Sequence, residues 1–433
     1  MRRLSTHVAG AGGNVLAGLR DAQQAAAGIE YVLVDGAFQV PGDAEGYLRS
    51  TTPIRLIGEG VGARLEFLPL NGAPPGSQFG LVVDSPADVT VVDAELVGSG
   101  EQMTQVIRHG YMGGDRVHVR LERAKVRGAA YAVKSQGRRT SIETDGCDLE
   151  AWITPILHTH DVGDVDAKDR FRRSTLRVKK ESWHHAEHGA YIYPQIDAEF
   201  DTVTFQGVAS HAIQSNGTEA PGKGRLVVRD CLVEESCVGG IHGNPNVMTD
   251  VIGGIFTPKA IPFRLRAGGM KVKGATIAPT GVHEPGQDPT IFPEAMFIDN
   301  ESGDYGGLLV EDCTLTGNPS VAFLWRQRPS RHDWVLRRTS VTQTYDGEEI
   351  RIQRGLATAP FPSCFIVSHS LSTSDSAFPA PQTVVDDCDL SVKYGRLWNL
   401  EHGEVACVGG TRPYRGPNTQ ASQLVNGAKA NVR

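Results

Sequence analysis

Residues 225–244, RLVVRDCLVEESCVGGIHGN, contain the pattern that decides the fold. Leu226 and Val228 alternate with their neighbours, as in a short strand with one buried face. A turn is predicted at Asp230, and Cys231 then points back into the interior. A second short strand follows and ends at a glycine turn. The stretch therefore predicts one coil of a strand–turn–strand solenoid.

The Asp-Cys corner of this coil recurs along the chain. The cysteines stand at similar intervals, each close to three coils of about 25–28 residues. A fixed period in this range is typical of repeat architectures, in which each coil packs only on its neighbours. Cysteine at a repeated inward position acts as a small buried hydrophobe. The related corners are Asp145-Gly146-Cys147, Asp230-Cys231, Asp312-Cys313 and Asp387-Cys388.

The first 60 residues contain the one convincing amphipathic helix, NVLAGLRDAQQAAAG at 14–28. Asn14 is a good N-cap, and Gly28 ends the apolar pattern. Short apolar strands follow at 31–34 and 37–40. Because the first coil of a solenoid has an open apolar end and an unpaired strand edge, it needs a cover. We expect the helix to cap the first coil.

This order of elements resembles a known entrance to a solenoid. A Gly-rich start, an Ala-rich helix, YVLVDGAFQV at 31–40 and IRLIGEG at 54–60 are similar to the beginning of right-handed parallel β-helix proteins of the pectin-lyase-like superfold. The resemblance rests on architecture and not on a catalytic signature. It implies an all-β, single-stranded right-handed parallel β-helix with an N-terminal capping helix. It also implies a relationship to polysaccharide lyases, glycoside hydrolases and phage tailspikes.

Three regions are expected. Residues 1–60 form the N-terminal cap, residues 61–402 the β-helix, and residues 403–433 a C-terminal cap or tail in which the repeat is lost. Long insertions between strands are predicted at 99–113, 280–293 and 355–382.

Composition excludes several function classes. The net charge is −7 and there is no basic tract, so we expect no nucleic-acid partner. No apolar run reaches about 18 residues, so no membrane insertion is expected. The N-terminus lacks the apolar segment of a secretory signal, which predicts synthesis in a cytoplasm without export by that route.

A polar stripe is the one functional signal in the repeat. If Val133, Leu157, Ile192, Ile213, Ile241 and Phe263 form one inward column, the positions one and three residues later face outward. Those positions carry amides, imidazoles, a phenol and cations, a mixture suited to a polyhydroxylated chain. The alternative is a plain solvated face. The predicted substrate-binding residues are His158, His160, Tyr193, Gln195, Gln214, Asn216, His242, Asn244, Arg264 and Arg266; Lys134 and Gln136 occupy the same two outward columns.

Metal and catalytic sites are not readable from the sequence. The run His184-His185-Ala186-Glu187-His188 has no H-E-x-x-H spacing, and no metal or other cofactor is predicted. No catalytic motif is present, so the catalytic residues stay unknown. The acids that lie near the stripe are Asp161, Glu187, Asp197, Glu294 and Asp299.

Three functions fit these observations. The favoured hypothesis is a phage tail protein of tailspike-like type, carried on the virion, made in the host cytoplasm and binding a cell-surface polysaccharide. It would form a homotrimer and contact other tail proteins. The first alternative is a polysaccharide lyase or glycoside hydrolase of the same superfold. The second is a purely structural β-helix with no ligand.

Overall fold

A computed structural model describes residues 1–43, 46–70, 72, 77–100, 103–159, 166–179, 187–215, 224–245, 247–265, 268–280, 296–299, 307–317, 324–326, 334–344, 367–369, 382–396, 398–400, 404–420, 423–424 and 429–432. The chain divides into two units. Unit 1 comprises Met1–Ser210 and Gly217–Glu219, and unit 2 comprises His211–Asn216 and Ala220–Arg433.

Each coil contributes one strand to each of three parallel sheets, which we call sheets 1, 2 and 3 in chain order. In one coil of unit 1 the three strands are Val117–Glu122, Lys125–Arg127 and Tyr131–Ser135, and Thr140–Asp145 then returns to sheet 1. Val117 pairs with Thr140 in parallel register. Each unit is therefore a parallel β-helix, and the all-β solenoid predicted from the Asp-Cys repeat is confirmed.

The strands of unit 1 are short and most of them alternate buried with exposed side chains. Sheet 1 contains Arg2–Arg3, Val32–Val34, Ile54–Gly58, Val89–Val92, Val117–Glu122, Thr140–Asp145, Lys168–Arg172 and Asp197–Asp201. Sheet 2 contains Ala37–Val40, Arg64–Phe67, Glu95–Val97, Lys125–Arg127, Asp148–Ala151, Thr175–Val178 and Thr204–Gln206. Sheet 3 contains Leu48–Ser50, Gln78–Val83, Met103–His109, Tyr131–Ser135, Thr154–His158 and Ala190–Ile192.

Unit 2 repeats this arrangement. Sheet 1 contains Leu226–Arg229, Thr249–Ile252, Met270–Lys273, Leu308–Glu311, Trp334–Arg337, Gln382–Asp386, Glu404–Val408 and Lys429–Val432. Sheet 2 contains Leu232–Val233, Ile255–Phe256, Thr276–Ile277, Thr314–Gly317, Ser340–Gln343, Asp389–Arg396 and Arg412–Gln420. Sheet 3 contains His211–Ser215, Gly239–His242, Phe263–Arg264, Phe297–Asp299, Leu324–Arg326, Val367–His369, Trp398–Leu400 and Gln423–Leu424.

The N-terminal helix lies where the sequence predicts it. Helix α1 spans Leu4–Gly10, which the sequence analysis missed, and helix α2 spans Val15–Ala26. The Asn14 side chain accepts a hydrogen bond from the Ala17 amide at 3.0 Å, so Asn14 is the N-cap of α2. Gly18 lets the two helices touch, because a Cβ there would lie 2.6 Å from the Cα of Val8.

The repeat continues beyond residue 403, where the sequence predicts its loss. Glu404–Val408 pairs in parallel with Gln382–Asp386, and Arg412–Gln420 pairs with Asp389–Arg396. Between Cys313 and Cys388 the chain also makes two coils, and not the three that the sequence predicts. The strands Trp334–Arg337 and Gln382–Asp386 are neighbours in sheet 1 although they are far apart in sequence, which obscures the period here.

From Asp93 onward, each described corner between sheet 1 and sheet 2 includes a residue in the left-handed conformation, and two consecutive glycines adopt it at 253–254 and 409–410. A positive φ is uncommon for residues other than glycine, and Asp tolerates it better than most. The amides of most corner residues also bond to the next coil; the Asp230 N–H, for example, donates to the Ile252 carbonyl at 2.9 Å. The corner residues are Asp93, Arg123, Gly146, Arg173, Thr202, Asp230, Gly253, Gly274, Asp312, Arg338, Asp387 and Gly409.

The residue after the corner is small and points inward, as the Asp-Cys pattern predicts. The Cys231 thiol donates to the Arg229 carbonyl at 3.2 Å, and the Ser174 hydroxyl donates to the Arg172 carbonyl at 2.7 Å. These side chains therefore add a second hydrogen bond to a carbonyl; the Arg172 carbonyl, for example, also accepts from the Gly146 amide. Among the described residues the free, buried cysteines are Cys147, Cys231, Cys237, Cys313, Cys388 and Cys407.

We predict that Asp230→Val lowers the free energy of unfolding by about 1–2 kcal/mol. A β-branched side chain resists the left-handed conformation that Asp230 adopts at φ +46°. The matched control, Asp230→Gly, is expected to change stability by less than about 0.5 kcal/mol. Urea unfolding followed by circular dichroism measures both, and equal losses in the two variants would contradict the role of the corner.

Candidate functional site

The predicted polar stripe does not form one solvent-exposed face. His158 is fully buried, and Gln214, His242 and Asn244 are exposed by 8, 2 and 1 %, so the predicted solvent exposure of these four side chains is wrong. Tyr193, Gln195 and Arg264 are partly exposed. His160, Asn216 and Arg266 lie outside the described residues.

His158 points inward because the strand register differs by one residue from the predicted one. Val133 pairs with Ile156, not with Leu157, and His158 follows Ser135 in the inward column. A shift of one residue moves every side chain of a strand to the opposite face. Leu157 therefore lies on the outer face and His158 lies in the core.

The buried His158 is fully hydrogen-bonded. Its Nδ1 lies 2.7 Å from Oδ2 of Asp169, and its Nε2 lies 3.2 Å from the Gly137 carbonyl oxygen. The other oxygen of Asp169 accepts from the Ile142 amide at 2.9 Å. Buried polar groups of this kind rigidify a core when every member has a partner. His158 is thus part of the interior.

In unit 2 the predicted register is correct, but Gln214 and His242 of the outward column are buried. Ile213 pairs with Ile241, and Gln214 pairs with His242. The rings of His211 and His242 lie against each other, with centroids 4.7 Å apart.

Asn244 has a structural role. Its side-chain amide donates to the Gly224 carbonyl at 2.8 Å, and its backbone amide donates to the Thr249 hydroxyl at 2.9 Å. Asn244 therefore holds the turn after the sheet 3 strand and is not available to a ligand.

A different column of sheet 3 in unit 1 reaches solvent. Parallel pairing aligns Arg49, Val82, Arg108, Lys134, Leu157 and Tyr191. Arg49 is exposed, and the last four of these side chains are partly exposed. Phe79 and Tyr131 lie beside the column on the same strands as Val82 and Lys134. We call Phe79, Arg108, Tyr131, Lys134, Leu157 and Tyr191 the aromatic–cation face.

The cations of this face lie over aromatic rings. The guanidinium carbon of Arg108 is 4.8 Å from the centroid of Phe79, and the ammonium of Lys134 is 5.6 Å from that of Tyr131. Contacts of this kind attract a cation to the ring face. At the far end of the column, the Tyr191 and Tyr193 rings meet edge to face at 6.1 Å. The aromatic rings therefore orient the two cations.

Burial changes the acid–base properties of this face. It lowers the pKa of the Lys134 ammonium, and the positive charge of Arg108 lowers it further. Burial also raises the pKa of the Tyr131 hydroxyl. A buried ammonium favours its neutral form, and a buried phenol does the same. Lys134 is therefore closer to neutrality than an ordinary surface lysine.

Open concavities adjoin the start of the column. One has a volume of about 840 Å³ and is lined in part by Tyr47, Arg49, Phe79 and Val82. Another, of about 800 Å³, lies between helix α2 and the strand Leu48–Ser50 and also includes Arg49. Space for a ligand thus lies next to the exposed cation of the first coil.

Sequence reasoning missed most of this face. It included Lys134 in the outward column but placed His158 and Tyr193 beside it, where the structure has Leu157 and Tyr191. The aromatic residues Phe79 and Tyr131 stand in strands with apolar patterns, and nothing in the local sequence separates them from core residues. In the strand Met103–His109, the alternation of apolar and polar residues would have placed Arg108 on the outer face.

The two candidate acids whose side chains the structure describes, Glu187 and Asp197, do not lie on the aromatic–cation face. Glu187 is buried, and Asp197 lies on the outer side of a sheet 1 strand. Asp161 and Glu294 lie outside the described residues, and the Asp299 side chain is not described. Within the described part of the chain, no group of three His, Cys, Asp or Glu side chains is placed to hold a metal ion. In the same part, no helix is long and apolar enough to cross a membrane.

Structural comparison identifies the fold. The chain is similar to the A-module of the Azotobacter vinelandii mannuronan C-5 epimerase AlgE4, with a TM-score of 0.51 and 13 % identity over 94 % of this chain and 96 % of that one. The catalytic unit of a GH87 alpha-1,3-glucanase from Streptomyces thermodiastaticus matches with a TM-score of 0.40 and 13 % identity over 99 % of this chain and 68 % of that one.

The likeness to the A. vinelandii module identifies a class of fold and not a particular protein. The chain has the right-handed parallel β-helix fold of the pectin-lyase-like proteins, as the sequence predicts. No protein-family model matches the chain. No curated protein matches it.

A second buried histidine makes stability depend on pH. His109 is fully buried two strands from His158 in the inward column, and its Nε2 lies 3.1 Å from the Ala87 carbonyl oxygen. Burial lowers the pKa of the His109 imidazole; the hydrogen bond to Ala87 opposes this, and the nearby His158 adds to it. The folded protein therefore holds His109 neutral.

We predict that stability falls as the pH drops below about 6.5, the pKa of an unfolded histidine. Below that pH, His109 binds a proton in the unfolded chain but not in the folded one. The free energy of unfolding therefore falls by up to about 1.4 kcal/mol per pH unit, until the pH reaches the lowered pKa of folded His109. Urea unfolding at about pH 7.5 and about pH 5.5 measures this loss. His109→Gln is expected to reduce it, whereas His118→Gln, on the outer face of sheet 1, serves as the control. An unchanged loss in His109→Gln would contradict the assignment.

Proposed function

We propose that the protein binds a polysaccharide through the aromatic–cation face of unit 1. The observation that carries this proposal is the exposed column in which Lys134, Leu157 and Tyr191 follow one another on successive coils. Aromatic and aliphatic side chains offer flat apolar surface to the carbon-bound face of a sugar ring. Cations beside them offer hydrogen-bond donors to hydroxyl or acidic groups.

The spacing of the coils suits an extended polymer. Neighbouring strands lie about 4.8 Å apart, so the column from Lys134 to Tyr191 covers about 10 Å across the strands. A ligand that lies along the column meets one side chain from each coil. The A. vinelandii protein with the same fold is named for its action on mannuronan, a polysaccharide, which supports this class of ligand.

Within this function, we propose the tailspike-like phage tail protein as the specific role. The protein would be made in the host cytoplasm, assemble as a homotrimer with other tail proteins on the virion, and bind a cell-surface glycan. The free, buried cysteines support it, because reduced thiols fit a chain that folds in a reducing compartment.

A polysaccharide lyase is the second candidate, favoured by the lowered pKa of Lys134 beside Tyr131. A lysine that releases its proton readily can act as a general base. Incubation with an acidic polysaccharide would then produce unsaturated chain ends, detectable by ultraviolet absorbance. A Lys134→Met variant that still produces them would exclude this role for Lys134.

We predict that Tyr191→Ala weakens binding of the cognate polysaccharide about 2- to 12-fold, the range expected for loss of one aromatic contact. Affinity electrophoresis in gels that contain the polysaccharide measures this change. His118→Ala, on the outer face of sheet 1, is the matched control and is expected to bind like the original protein. Equal mobility of Tyr191→Ala and the original protein would contradict the assignment of the face.

We predict that the purified protein has a solution mass of three times the chain mass of 46.6 kDa. This follows from the tailspike-like role, in which three copies associate. Light scattering measures the mass directly. A monomer at all concentrations would contradict the trimeric part of the proposal and leave polysaccharide binding to be judged by its own test.

A further inference from the structure

We infer that the polysaccharide is anionic, and that one of its acidic groups binds between Arg108 and Lys134. This inference rests on the proposed function and names the class of polymer. The two side chains occupy directly paired positions on adjacent strands of sheet 3. Like charges in such positions repel each other. An anion between them would remove this repulsion.

Within the described residues, the two cations of the aromatic–cation face have weaker carboxylate pairing than other cations of unit 1. Arg123 pairs with Asp93 and Arg173 with Asp145 on the preceding coil, and Arg120 pairs with Glu143 on the following coil. By contrast, the ion pair that Arg108 forms in the described part of the chain is a longer one, with Asp84 at 3.9 Å. No carboxylate among the described residues forms an ion pair with Lys134.

Partial burial and the neighbouring aromatic rings favour the binding of an anion by Arg108 and Lys134. Lys134 is partly buried, so water stabilises its charge less than it would at an open surface. Tyr131 and Phe79 hold the two cations over their rings and limit the directions in which they can move. Because Arg108 and Lys134 are already oriented, these side chains lose less conformational entropy when an acidic group binds.

The remainder of the face accepts the rest of the polymer. Leu157 and Tyr191 occupy the next two coils of the same column. A sugar ring that packs on these side chains has its neighbour about 5–10 Å away, beside Lys134. Acidic groups on the polymer would thus meet the cations while the rings contact the apolar end.

Single-stranded nucleic acid is the other polymer that binds cations interleaved with aromatic rings. The net charge of −7 disfavours a polyphosphate, since nucleic-acid affinity depends on the summed positive charge of the protein. The observations therefore favour an anionic polysaccharide, and the experiment includes the nucleic acid as a competitor class.

The experiment measures binding of the full chain to four probes: polymannuronate, which carries carboxylates; heparin, which carries sulfates; dextran, which is neutral; and a single-stranded thymidine oligonucleotide. We expect polymannuronate or heparin to bind and dextran not to. Arg108→Gln and Lys134→Gln are each expected to weaken that binding about tenfold or more, the usual cost of losing a charge-assisted contact.

Matched controls separate this site from general charge effects. Lys168→Gln and Arg170→Gln remove cations from the outer face of sheet 1 in the same unit. They change the net charge by the same amount as the test variants and are expected to leave the affinity unchanged.

The pH dependence of binding gives an independent signature. The ammonium of Lys134 is charged below its lowered pKa, so binding is expected to weaken as the pH rises through that value, before an ordinary lysine would titrate. Arg108 stays charged and Tyr131, whose pKa is raised, is still neutral there. Lys134→Arg is expected to retain binding and to lose this pH dependence, which a merely structural role for Lys134 would not produce.

The outcomes distinguish the inference from the proposal beneath it. Binding of dextran as tightly as the acidic polymers would overturn the anionic inference and leave polysaccharide binding intact. Tighter binding of the oligonucleotide would also overturn the inference. Failure of all three polysaccharides to bind would count against both, and equal losses in the sheet 1 controls would show that net charge, not this site, attracts the polymer.

Discussion

The left-handed corner between sheet 1 and sheet 2 is the constraint on which the coils depend. A residue with positive φ reverses the chain direction, and in most corners its amide bonds to the carbonyl before the corner of the next coil. The following small side chain turns back to the carbonyl left behind, as Cys313 does toward Glu311 and Thr339 toward Arg337. Thiol and hydroxyl are interchangeable here because both are small donors. A large side chain at this inward position would not fit between the sheets.

A corner that repeats in every coil also sets the faces of the sheets. Each sheet 1 strand ends at a defined residue, so outward side chains of successive coils meet in register. At the corners of unit 1 this brings Arg123 to Asp93 and Arg173 to Asp145. Such exposed pairs stabilise little individually. Their regular occurrence nevertheless shows the usual way in which this chain neutralises an outward cation.

The same corner explains which parts of the structure could be predicted. Asp-Cys is a local signal that combines a tolerated left-handed residue with a small inward one, so the solenoid and the helix capped by Asn14 could be predicted from single stretches of sequence. The sheet 3 face could not. A polar His158 at a strand end is typical of an outward position, and it lies inside because Asp169, on the next sheet 1 strand, and the Gly137 carbonyl supply its partners. The predicted register of this strand was wrong by one residue. It placed His158 on the outer face in place of Leu157, so the partly exposed column was missed.

The contrast between the corners and sheet 3 favours a ligand-binding role for the aromatic–cation face. A protein stabilised by many equivalent coil contacts can carry a few unfavourable charges without unfolding, because each coil packs only on its neighbours. Residues that lower stability are often retained where function needs them. Arg108 and Lys134 stand side by side over aromatic rings, although paired carboxylates occur elsewhere on the same unit. Their repulsion destabilises the free protein. An anion that binds between them relieves this repulsion, and the relief contributes to its affinity.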